Sequence, residues 1–411
     1  MKSLIILKGL AKTKKLKWVE KEGLQNFFLD IDTIKKLYSV PELVTPFKDI
    51  LSKSFGDTVY SEFRKLLTIR LSKGNLIVID PEDENLVSLE KLAFIFGYTV
   101  FYVVQGIPQD YLTKSSRYRL PYYPHKKKEE LKKEVVNFMS LQFKDKLVIN
   151  TYKDVEDYWE KTCKRSGNYL KLGKRSKPVL HISDIHSNWK IYKKLPRMKK
   201  FSIRIFYGDY IDGPEQGGSR RMIDEIIESK NPCNIWLEGN HELRLRKHLG
   251  LIMLGTGGKN KELRDILYKS LPDDYIRTTY TEFSDLTPGK AREYLMKLNE
   301  KLKLFIIIEN NNVVYICTHS GLKYIEQISP KYIGSVIYGS RDINRVDRDF
   351  SSHTKNTKYW SIHAHCKYYD KWCAHKYRNV VNLDPRSNEE IIYAEQNKNN
   401  WKICQIESKK K

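Results

Sequence analysis

The chain has 411 residues, 74 Lys and Arg against 50 Asp and Glu, and a formal net charge of +24; its length predicts two domains or one large one. Its 40% hydrophobic and 12% aromatic residues exclude a disordered chain, and its apolar runs are far shorter than the ~20 residues of a membrane span. The apolar N-terminal run stops at Lys8 without a cleavage site, which excludes a signal peptide. The six cysteines form no CxxC pair, which excludes a disulfide framework and a structural zinc knuckle. We therefore expect a cytoplasmic protein with no membrane association.

The predicted elements of the first half alternate between strand and helix, which predicts a parallel sheet covered by helices. Strand patterns lie at residues 4–7, 74–80 and 98–104, with a helix over 86–97 that ends at a glycine. A basic, helical stretch follows, and a second alternation of strands and helices begins at residue 179. We predict an α/β chain with a first domain at 1–125, a lid or linker segment at 126–177 and a second domain at 178–411.

Five short motifs in the second alternation are rich in Asp, His and Asn, and each directly follows an apolar, strand-like run. They are Asp184-Ile-His186, Gly208-Asp209-Tyr-Ile-Asp212, Gly239-Asn240-His241-Glu242, His319, and His363-Ala-His365. In open α/β sheets, ligand sites assemble where the strands end. Carboxylates together with imidazoles suit Mn, Fe, Zn or Mg. This number of ligands suits two ions, which can hold a phosphate and activate a water for in-line attack.

The order of these motifs resembles the calcineurin-like metallophosphoesterase superfamily over residues 178–405. The resemblance implies a metallophosphoesterase α/β sandwich that binds two divalent ions, with Mn²⁺ expected first and Fe, Zn, Ni or Mg as alternatives. It implies that the first ion is held by Asp184, His186, Asp209 and His365, and the second by Asp209, Asn240, His319 and His363. It also makes His241 the acid that protonates the leaving oxygen, oriented by Asp212.

Two positions depart from the family pattern. Ile362 stands where a glycine usually precedes the HxH motif, and Gly213 stands where the phosphatase branch carries an arginine that clamps a phosphate oxygen. Arg220, Arg221 and Arg244 are the candidates to replace that arginine. The resemblance thus implies metal ligands without identifying the residue that binds the phosphate of the substrate.

The N-terminal residues 4–16 have the outline of a strand, a phosphate-binding loop and a helix. Gly9 and Lys15 match the pattern G-x-x-x-x-G-K-[S/T], whereas Lys14 replaces the second glycine and Leu16 replaces the hydroxyl residue. The glycine lets the backbone curl around phosphates and the hydroxyl ligates magnesium. The loss of both predicts a loop that does not support catalysis, and ATP is a doubtful ligand.

Two further stretches of the first half resemble polynucleotide kinases. Asp32 and Lys35 stand where those enzymes carry a catalytic aspartate and a phosphate-binding basic residue, and Arg117 and Arg119 fall where their arginine-bearing lid lies. The whole chain resembles the bacterial and phage polynucleotide kinase-phosphatases that heal RNA ends, which implies a P-loop-kinase-like parallel sheet in the first half. Because the phosphate loop is altered, we expect a pseudokinase that positions nucleic acid through Lys15 and these residues. A purely structural domain is the alternative.

These features predict a dinuclear-metal phosphoesterase that removes a 3′-phosphate or 2′,3′-cyclic phosphate from nucleic-acid ends in RNA repair. The net charge favours nucleic acid as the partner, although a lysine-biased genome would also produce it. The alternatives are a serine/threonine-type protein phosphatase, a metal-dependent nuclease, a kinase-phosphatase with residual 5′-kinase activity, and a binding protein with vestigial enzyme domains. The sequence is compatible with a homo-oligomer in the cytoplasm of a bacterium or, for a phage protein, of its host.

Overall fold

In the residues that it describes, the computed structural model of the chain contains three sheets with helices packed on them. It describes residues 1–8, 12–31, 33–34, 48–81, 86–104, 146–173, 176–196, 200–213, 215–257, 260–310, 312–338, 343–365, 377–384, 390–397 and 400–407. Strands and helices are mixed along the whole described chain, which confirms the predicted α/β fold class.

The first sheet is entirely parallel, as the alternating pattern of the first half predicts. Its strands are β1 (Lys2–Lys8), β2 (Phe28–Asp30), β3 (Ile77–Asp80), β4 (Tyr98–Val104) and β5 (Leu147–Val148). Their spatial order is β2-β3-β1-β4-β5. Strand β1 is buried at every position except its last, because helices cover both faces of a parallel sheet.

The second and third sheets pack face to face. The second is formed by β7 (Val179–Ile182), β8 (Ile203–Phe206), β9 (Asn234–Leu237), β10 (Leu302–Lys303), β15 (Glu390–Asn397) and β16 (Asn400–Glu407), in the order β10-β9-β8-β7-β15-β16. The third is formed by β6 (Tyr169–Leu172), β11 (Phe305–Asn310), β12 (Val313–Thr318), β13 (Tyr359–His363) and β14 (Val380–Asn382), in the order β14-β13-β12-β11-β6. Ile205 of the second sheet and Ile306 of the third belong to one buried apolar layer.

Helices flank the three sheets. They are α1 (Lys12–Lys21), α2 (Lys48–Lys73), α3 (Leu86–Ile95), α4 (Tyr152–Arg165), α5 (Trp189–Tyr192), α6 (Gly218–Glu228), α7 (Asn240–Leu254), α8 (Lys261–Lys269), α9 (Asp273–Thr278), α10 (Tyr280–Phe283), α11 (Pro288–Lys301), α12 (Ser335–Tyr338) and α13 (Ile343–His353). Local sequence explains some boundaries: the Thr287 side chain accepts the Lys290 N–H, and Pro288 occupies the first turn of α11. Within the described ranges, no helix is both long and apolar enough to cross a membrane.

One hydrophobic cluster extends through both halves of the chain. It includes Leu67 and Phe96 beside the first sheet and Leu249 and Leu298 from α7 and α11. Helix α7 approaches α3 closely, since a Cβ added at Gly250 would lie 2.8 Å from the Ile95 side chain. The two halves therefore share a core rather than meeting at a polar boundary.

A buried ion network also joins the halves. The Lys2 ammonium of β1 donates to Glu238 Oε1 at 3.2 Å, and Arg246 Nε of α7 donates to the same oxygen at 2.6 Å. All three side chains are almost completely buried. Glu238 directly precedes the Gly239-Asn240-His241 motif, so the first strand of the chain contacts the segment that carries this motif.

Helix α4 and strand β6 lie within the segment 126–177 that the sequence predicted as a lid or linker. Val155 of α4 packs in a cluster beneath the first sheet, and Trp159 of the same helix stacks on Phe305 of β11 with ring centroids 5.6 Å apart. Strand β6 pairs in parallel with β11. The described part of this segment is thus packed structure that connects the two halves.

Candidate active site

The five predicted motifs converge at one edge of the second and third sheets. Asp184, Asp209 and Asn240 follow β7, β8 and β9, and His319, His363 and His365 lie at the ends of β12 and β13. Strands β7, β8 and β9 run parallel, as do β12 and β13, so their carboxyl ends meet at one edge. This edge brings several of the predicted residues close together, in the groups described next.

The backbone at this edge is held in an unusual conformation. The left-handed φ values are 44° at His186, 59° at Ser187, 49° at Asp209 and 62° at Asp212. Such conformations cost about 1–3 kcal/mol each and persist where the surrounding structure fixes them. Gly208 lets two of the loops approach each other, since a Cβ there would lie 2.7 Å from the Gly239 nitrogen.

Two groups of potential metal ligands share Asp209. The first contains Asp184, His186 and Asp209, and the second contains Asp209, His319 and His365. Within each group, one donor atom from each residue lies within 4.8 Å of the others. A carboxylate common to two groups is the arrangement that a bridge between two ions requires.

Burial controls the protonation of these residues. It lowers the pKa of His186 and His319 below the ordinary value and that of His365 to about 3. Burial alone would raise the pKa of Asp209, but attraction to the imidazolium of His241 outweighs it and leaves that pKa below its ordinary range. The edge thus combines ionised Asp209 with neutral His186, His319 and His365, the form in which histidine binds metals.

His319 is oriented by the backbone. Its Nδ1 donates to the Tyr207 carbonyl oxygen at 2.5 Å, which fixes the tautomer and directs the Nε2 lone pair to the other side of the ring. Nε2 lies 3.4 Å from Asp209 Oδ1 and 3.1 Å from the side-chain oxygen of Asn240. Asn240 therefore belongs to the same cluster of donor atoms.

His363 has a different environment from the one that the sequence predicts. It belongs to neither group of potential ligands, and its Nε2 lies 3.0 Å from Asp347 Oδ1 of α13. Both residues are completely buried. Asp347 lies outside the five motifs, on the apolar face of α13 together with Val346 and Phe350. An acidic residue on the buried face of an amphipathic helix is a signal of a buried polar contact, although it does not identify the partner.

His241 and Asp212, which the sequence predicts to be an acid and the residue that orients it, are in direct contact. His241 Nδ1 lies 2.7 Å from Asp212 Oδ2, and its Nε2 lies 3.6 Å from Asp209 Oδ2. The Thr279 hydroxyl donates to the other oxygen of Asp212. Burial disfavours the imidazolium, but Asp209 and Asp212 outweigh it and raise the pKa of His241 above its ordinary value. His241 is therefore suited to hold a proton beside Asp209.

Glu242 joins two of the motif loops, a role that the sequence did not indicate. Its carboxylate accepts the backbone N–H groups of Asp209 at 3.0 Å, Tyr210 at 2.8 Å and Gly239 at 2.8 Å. The side chain is completely buried. An acidic residue at the third position of a helix is an N-terminal capping signal, and here its carboxylate also reaches the loop after β8.

One of the three candidate arginines lies at this edge. Arg244 Nη1 donates to Asp212 Oδ2 at 2.9 Å, beside the His241 contact. Arg220 instead donates to the Glu282 carbonyl oxygen at 3.1 Å and lies 5.3 Å from the Phe283 ring centroid. Arg221 is exposed.

Of the candidate residues of the first half, Lys15 is described, and it lies at the carboxyl edge of the first sheet. Lys15 Nζ lies 2.7 Å from Asp80 Oδ1 at the end of β3, and both side chains are buried. Asp30, at the end of β2, pairs in register with Asp80 and is also buried. Four other predicted residues lie outside the described ranges: Asp32, Lys35, Arg117 and Arg119.

The site at the shared edge of the second and third sheets fits divalent cations. The Nδ1 atoms of His363 and His365 are buried without a hydrogen-bond partner in the described part of the structure. An unsatisfied buried polar atom costs about 1–3 kcal/mol, and a bound cation would remove that cost. Carboxylate and imidazole donors suit Mn, Fe and Zn.

Comparison with known proteins agrees with the motifs. A family model described as calcineurin-like phosphoesterase matches residues 177–404, which is more than half of the chain. A search of curated proteins found no significant match. Among solved structures, a "putative diadenosine tetraphosphatase" is 15% identical, covering 58% of this chain and 98% of its own with a TM-score of 0.33. Hypothetical protein PH1004 from Pyrococcus horikoshii OT3 is 14% identical, covering 56% and 87% with a TM-score of 0.34.

The family match spans every one of the five motifs and the strands of the second and third sheets except β6 and the end of β16. It begins one residue before the predicted start of the second domain. It does not extend to the first sheet, for which the kinase-like interpretation stays a prediction. The chain belongs to the calcineurin-like phosphoesterase family and is a metal-dependent hydrolase of phosphoester bonds.

Proposed function

We propose that the chain is a dinuclear-metal phosphoesterase that removes phosphate from nucleic-acid ends. The observation that carries the proposal is the position of Asp209, which belongs to both ligand groups and lies 3.6 Å from His241 Nε2. A shared carboxylate and a proton-bearing imidazole supply the two requirements of phosphoester hydrolysis, an activated water and a protonated leaving oxygen.

The residues that would hold the two ions follow from the two groups. One ion would be held by Asp184, His186 and Asp209. The other would be held by Asp209, Asn240, His319 and His365. The ions would hold the phosphate and lower the pKa of a water molecule. His363 is a predicted ligand that belongs to neither group. Its Nε2 contacts Asp347, so its buried Nδ1 is the atom available to a cation.

The remaining residues of the site orient groups and move a proton. Asp212 holds His241 through Nδ1, so the Nε2 proton faces Asp209 and the space where the leaving oxygen would depart. Removing His241 should therefore lower turnover while metal stays bound. Glu242 fixes the loops that carry Asp209 and Asn240, because its carboxylate receives N–H groups from both segments.

The charge of the chain supports nucleic acid as the substrate. A net charge of +24 attracts the phosphate backbone without sequence preference. A 3′-phosphate or a 2′,3′-cyclic phosphate is the proposed end, and Mn²⁺ the proposed metal.

We further propose that the first half is an inactive kinase-like domain that helps to present the nucleic acid. The carboxyl edge of its parallel sheet is where such domains bind phosphates. Here Lys15 is engaged in a buried ion pair with Asp80 at 2.7 Å, and Lys14 and Leu16 replace the residues that phosphate binding needs. An engaged lysine and an altered loop both argue against phosphoryl transfer by this domain.

One RNA prepared with different ends tests the proposal. The RNA would carry a 5′-hydroxyl, a 3′-phosphate or a 2′,3′-cyclic phosphate, and each form would be incubated with Mn²⁺, with and without ATP. We expect loss of the terminal phosphate that Asp209→Asn abolishes and no 5′ phosphorylation. Phosphorylation of the 5′ end would refute the inactive kinase. Unchanged RNA ends together with hydrolysis of p-nitrophenyl phosphate would refute the nucleic-acid substrate but not the hydrolase.

A further inference from the structure

The loop after Asp212 has no space for a side chain at position 213. A Cβ added at Gly213 would lie 1.4 Å from the His186 carbonyl oxygen and 2.2 Å from its carbonyl carbon. Real Cβ atoms do not approach backbone this closely, so any larger residue would displace the Asp184-Ile-His186 loop. An arginine that clamps phosphate therefore cannot stand here, and any arginine that contacts the phosphate oxygens must come from another position.

Arg244 is placed to supply that cation. It lies one helical turn after His241 on α7, so the two side chains project from the same face. Its Nη1 and the Nδ1 of His241 meet the same oxygen of Asp212, at 2.9 and 2.7 Å. This shared anchor brings the guanidinium beside the imidazole that faces Asp209.

The exposure of the residues at this anchor also fits a ligand contact. The Asp212 side chain is 5% exposed, whereas that of Arg244 is 21% exposed, so solvent reaches the guanidinium but hardly reaches its anchor. A guanidinium carries five donors in a planar fork, and an anchor on one edge is compatible with an oxyanion on another. Holding the fork in advance reduces the entropy lost when the oxyanion binds.

We propose that Arg244 binds the non-bridging oxygens of the substrate phosphate and makes the site selective for a terminal phosphomonoester over a phosphodiester. The inference rests on the proposed phosphoesterase site. A phosphomonoester carries about 1.5 to 2 negative charges at neutral pH, whereas a diester carries one. A second fixed cation beside the metal ligands therefore favours the monoester. Of the two proposed RNA ends, it selects the 3′-phosphate over the 2′,3′-cyclic phosphate.

The test compares Arg244→Met and Arg244→Lys with Arg221→Met, which changes an exposed arginine of α6 that pairs with Glu215. Each protein would be assayed with Mn²⁺ on p-nitrophenyl phosphate and on bis-p-nitrophenyl phosphate, and the affinity for inorganic phosphate would be measured by calorimetry. Bound metal and the melting temperature would be measured in parallel.

For Arg244→Met we expect weaker binding of inorganic phosphate by about 10- to 100-fold and a similar loss of kcat/KM on the monoester, because a charged hydrogen bond is lost. The diester should lose only a few-fold. Arg244→Lys should recover part of the phosphate affinity, and Arg221→Met should behave as wild type. Unchanged phosphate affinity and an unchanged monoester-to-diester ratio in Arg244→Met would refute the inference.

Two outcomes separate this inference from the proposed function. If the wild type hydrolyses neither ester, the proposed hydrolytic site fails, while phosphate affinity still tests Arg244. If Arg244→Met and Arg244→Lys both lose metal and phosphate affinity equally, Arg244 only supports Asp212 and the inference is refuted.

Discussion

The first sheet and the phosphoesterase sheets each end in a cluster of charged residues at the carboxyl edge of parallel strands. At the first edge, Lys15 and Asp80 form a buried pair at 2.7 Å, so opposite charges meet within the protein. At the second edge, the buried carboxylates of Asp184 and Asp209 stand among imidazoles whose pKa values burial lowers. The first edge pairs its aspartate with a lysine. At the second edge, Arg244 and His241 meet Asp212, whereas Asp184 and Asp209 also face rings such as His186 and His319 that burial keeps neutral.

This difference shows why strand ends alone do not make a metal site. Both edges have the topology in which ligands bind, and both contain buried aspartates. Among the described residues, only the second edge combines carboxylates with imidazole nitrogen donors and with left-handed residues such as Asp209. An excess of negative charge in a buried site favours a bound cation, because the alternative is protonation of the carboxylates.

Removing the shared carboxylate should have the largest effect. Asp209→Asn takes one ligand from both groups, so we expect turnover of p-nitrophenyl phosphate to fall by about 10³-fold or more, with loss of bound Mn²⁺. Metal analysis and steady-state kinetics would measure both quantities. Asp157→Asn, on the exposed face of α4, is the control. Full metal content with normal turnover would contradict the shared-ligand role.

Breaking the ion pair at the first edge should affect stability and leave the hydrolysis intact. Lys15→Met leaves Asp80 as a buried charge without its lysine, which should lower the free energy of unfolding by about 3–5 kcal/mol. The double variant Lys15→Met/Asp80→Leu should recover most of that loss. Urea denaturation and p-nitrophenyl phosphate turnover measure the two effects. A fall in turnover for a folded Lys15→Met protein would contradict the expectation that the first edge affects stability and not hydrolysis.

Removing the partner of His363 should weaken metal binding moderately. Asp347→Asn alters the group that orients the buried ring, and the loss of such a partner typically costs about 10- to 100-fold in metal affinity. Calorimetric titration with Mn²⁺ would measure it. Asp349→Asn, on the same helix and salt-bridged to Lys323, is the matched control. Equal affinity in both variants would show that His363 takes no part in metal binding.

A buried histidine of β7 should have a smaller effect, which changes the free energy of unfolding with pH. His181 is bonded on both ring nitrogens, to Tyr207 and Gln396 at 2.9 Å each, and burial lowers its pKa from 6.5 to about 4. Below pH 6.5 the His181 ring binds a proton in the unfolded chain but stays neutral in the folded chain. The contribution of His181 to the free energy of unfolding is therefore fully present above pH 6.5 and is lost as the pH falls towards 4.

At pH 5.5 the loss should be about 1 kcal/mol relative to pH 7.5. His181→Gln, which has no titrating ring, should reduce the difference in urea stability between these two pH values by that amount. An unchanged difference would show that His181 is not held neutral. The result would distinguish His181, whose two ring nitrogens are both hydrogen-bonded, from the histidines that could bind metal.

The sequence predicted the parts of the site that follow strand ends. Asp184, Asp209 and His319 stand directly after apolar runs, and the geometry of sheets brings such positions together without knowledge of packing. Asp347 could not be placed in this way, because a helix brings it to His363 and its contact depends on how α13 packs. Lys15 shows the same limit: its partner Asp80 follows a strand 65 residues later, and the sequence does not specify the pair.

The choice among the three arginines also depended on tertiary contacts. Arg220, Arg221 and Arg244 are equivalent in the sequence, and only the packing of α6 and α7 distinguishes them. The exclusion of a side chain at Gly213 is likewise a property of the folded loop, because it arises from contact with His186. Strand positions are therefore predictable from local pattern, whereas the orientation of long polar side chains is not.

The hydrophobic cluster shared by the two halves bears on how the chain unfolds. Separate domains with their own cores melt in separate steps, but here Phe96 and Leu249 belong to one cluster and Lys2 is buried against Glu238. Loss of the first sheet would uncover apolar surface on α7 and leave Glu238 without one of its cations. We therefore expect heating to unfold both halves in a single cooperative transition, with the calorimetric enthalpy equal to the van't Hoff enthalpy.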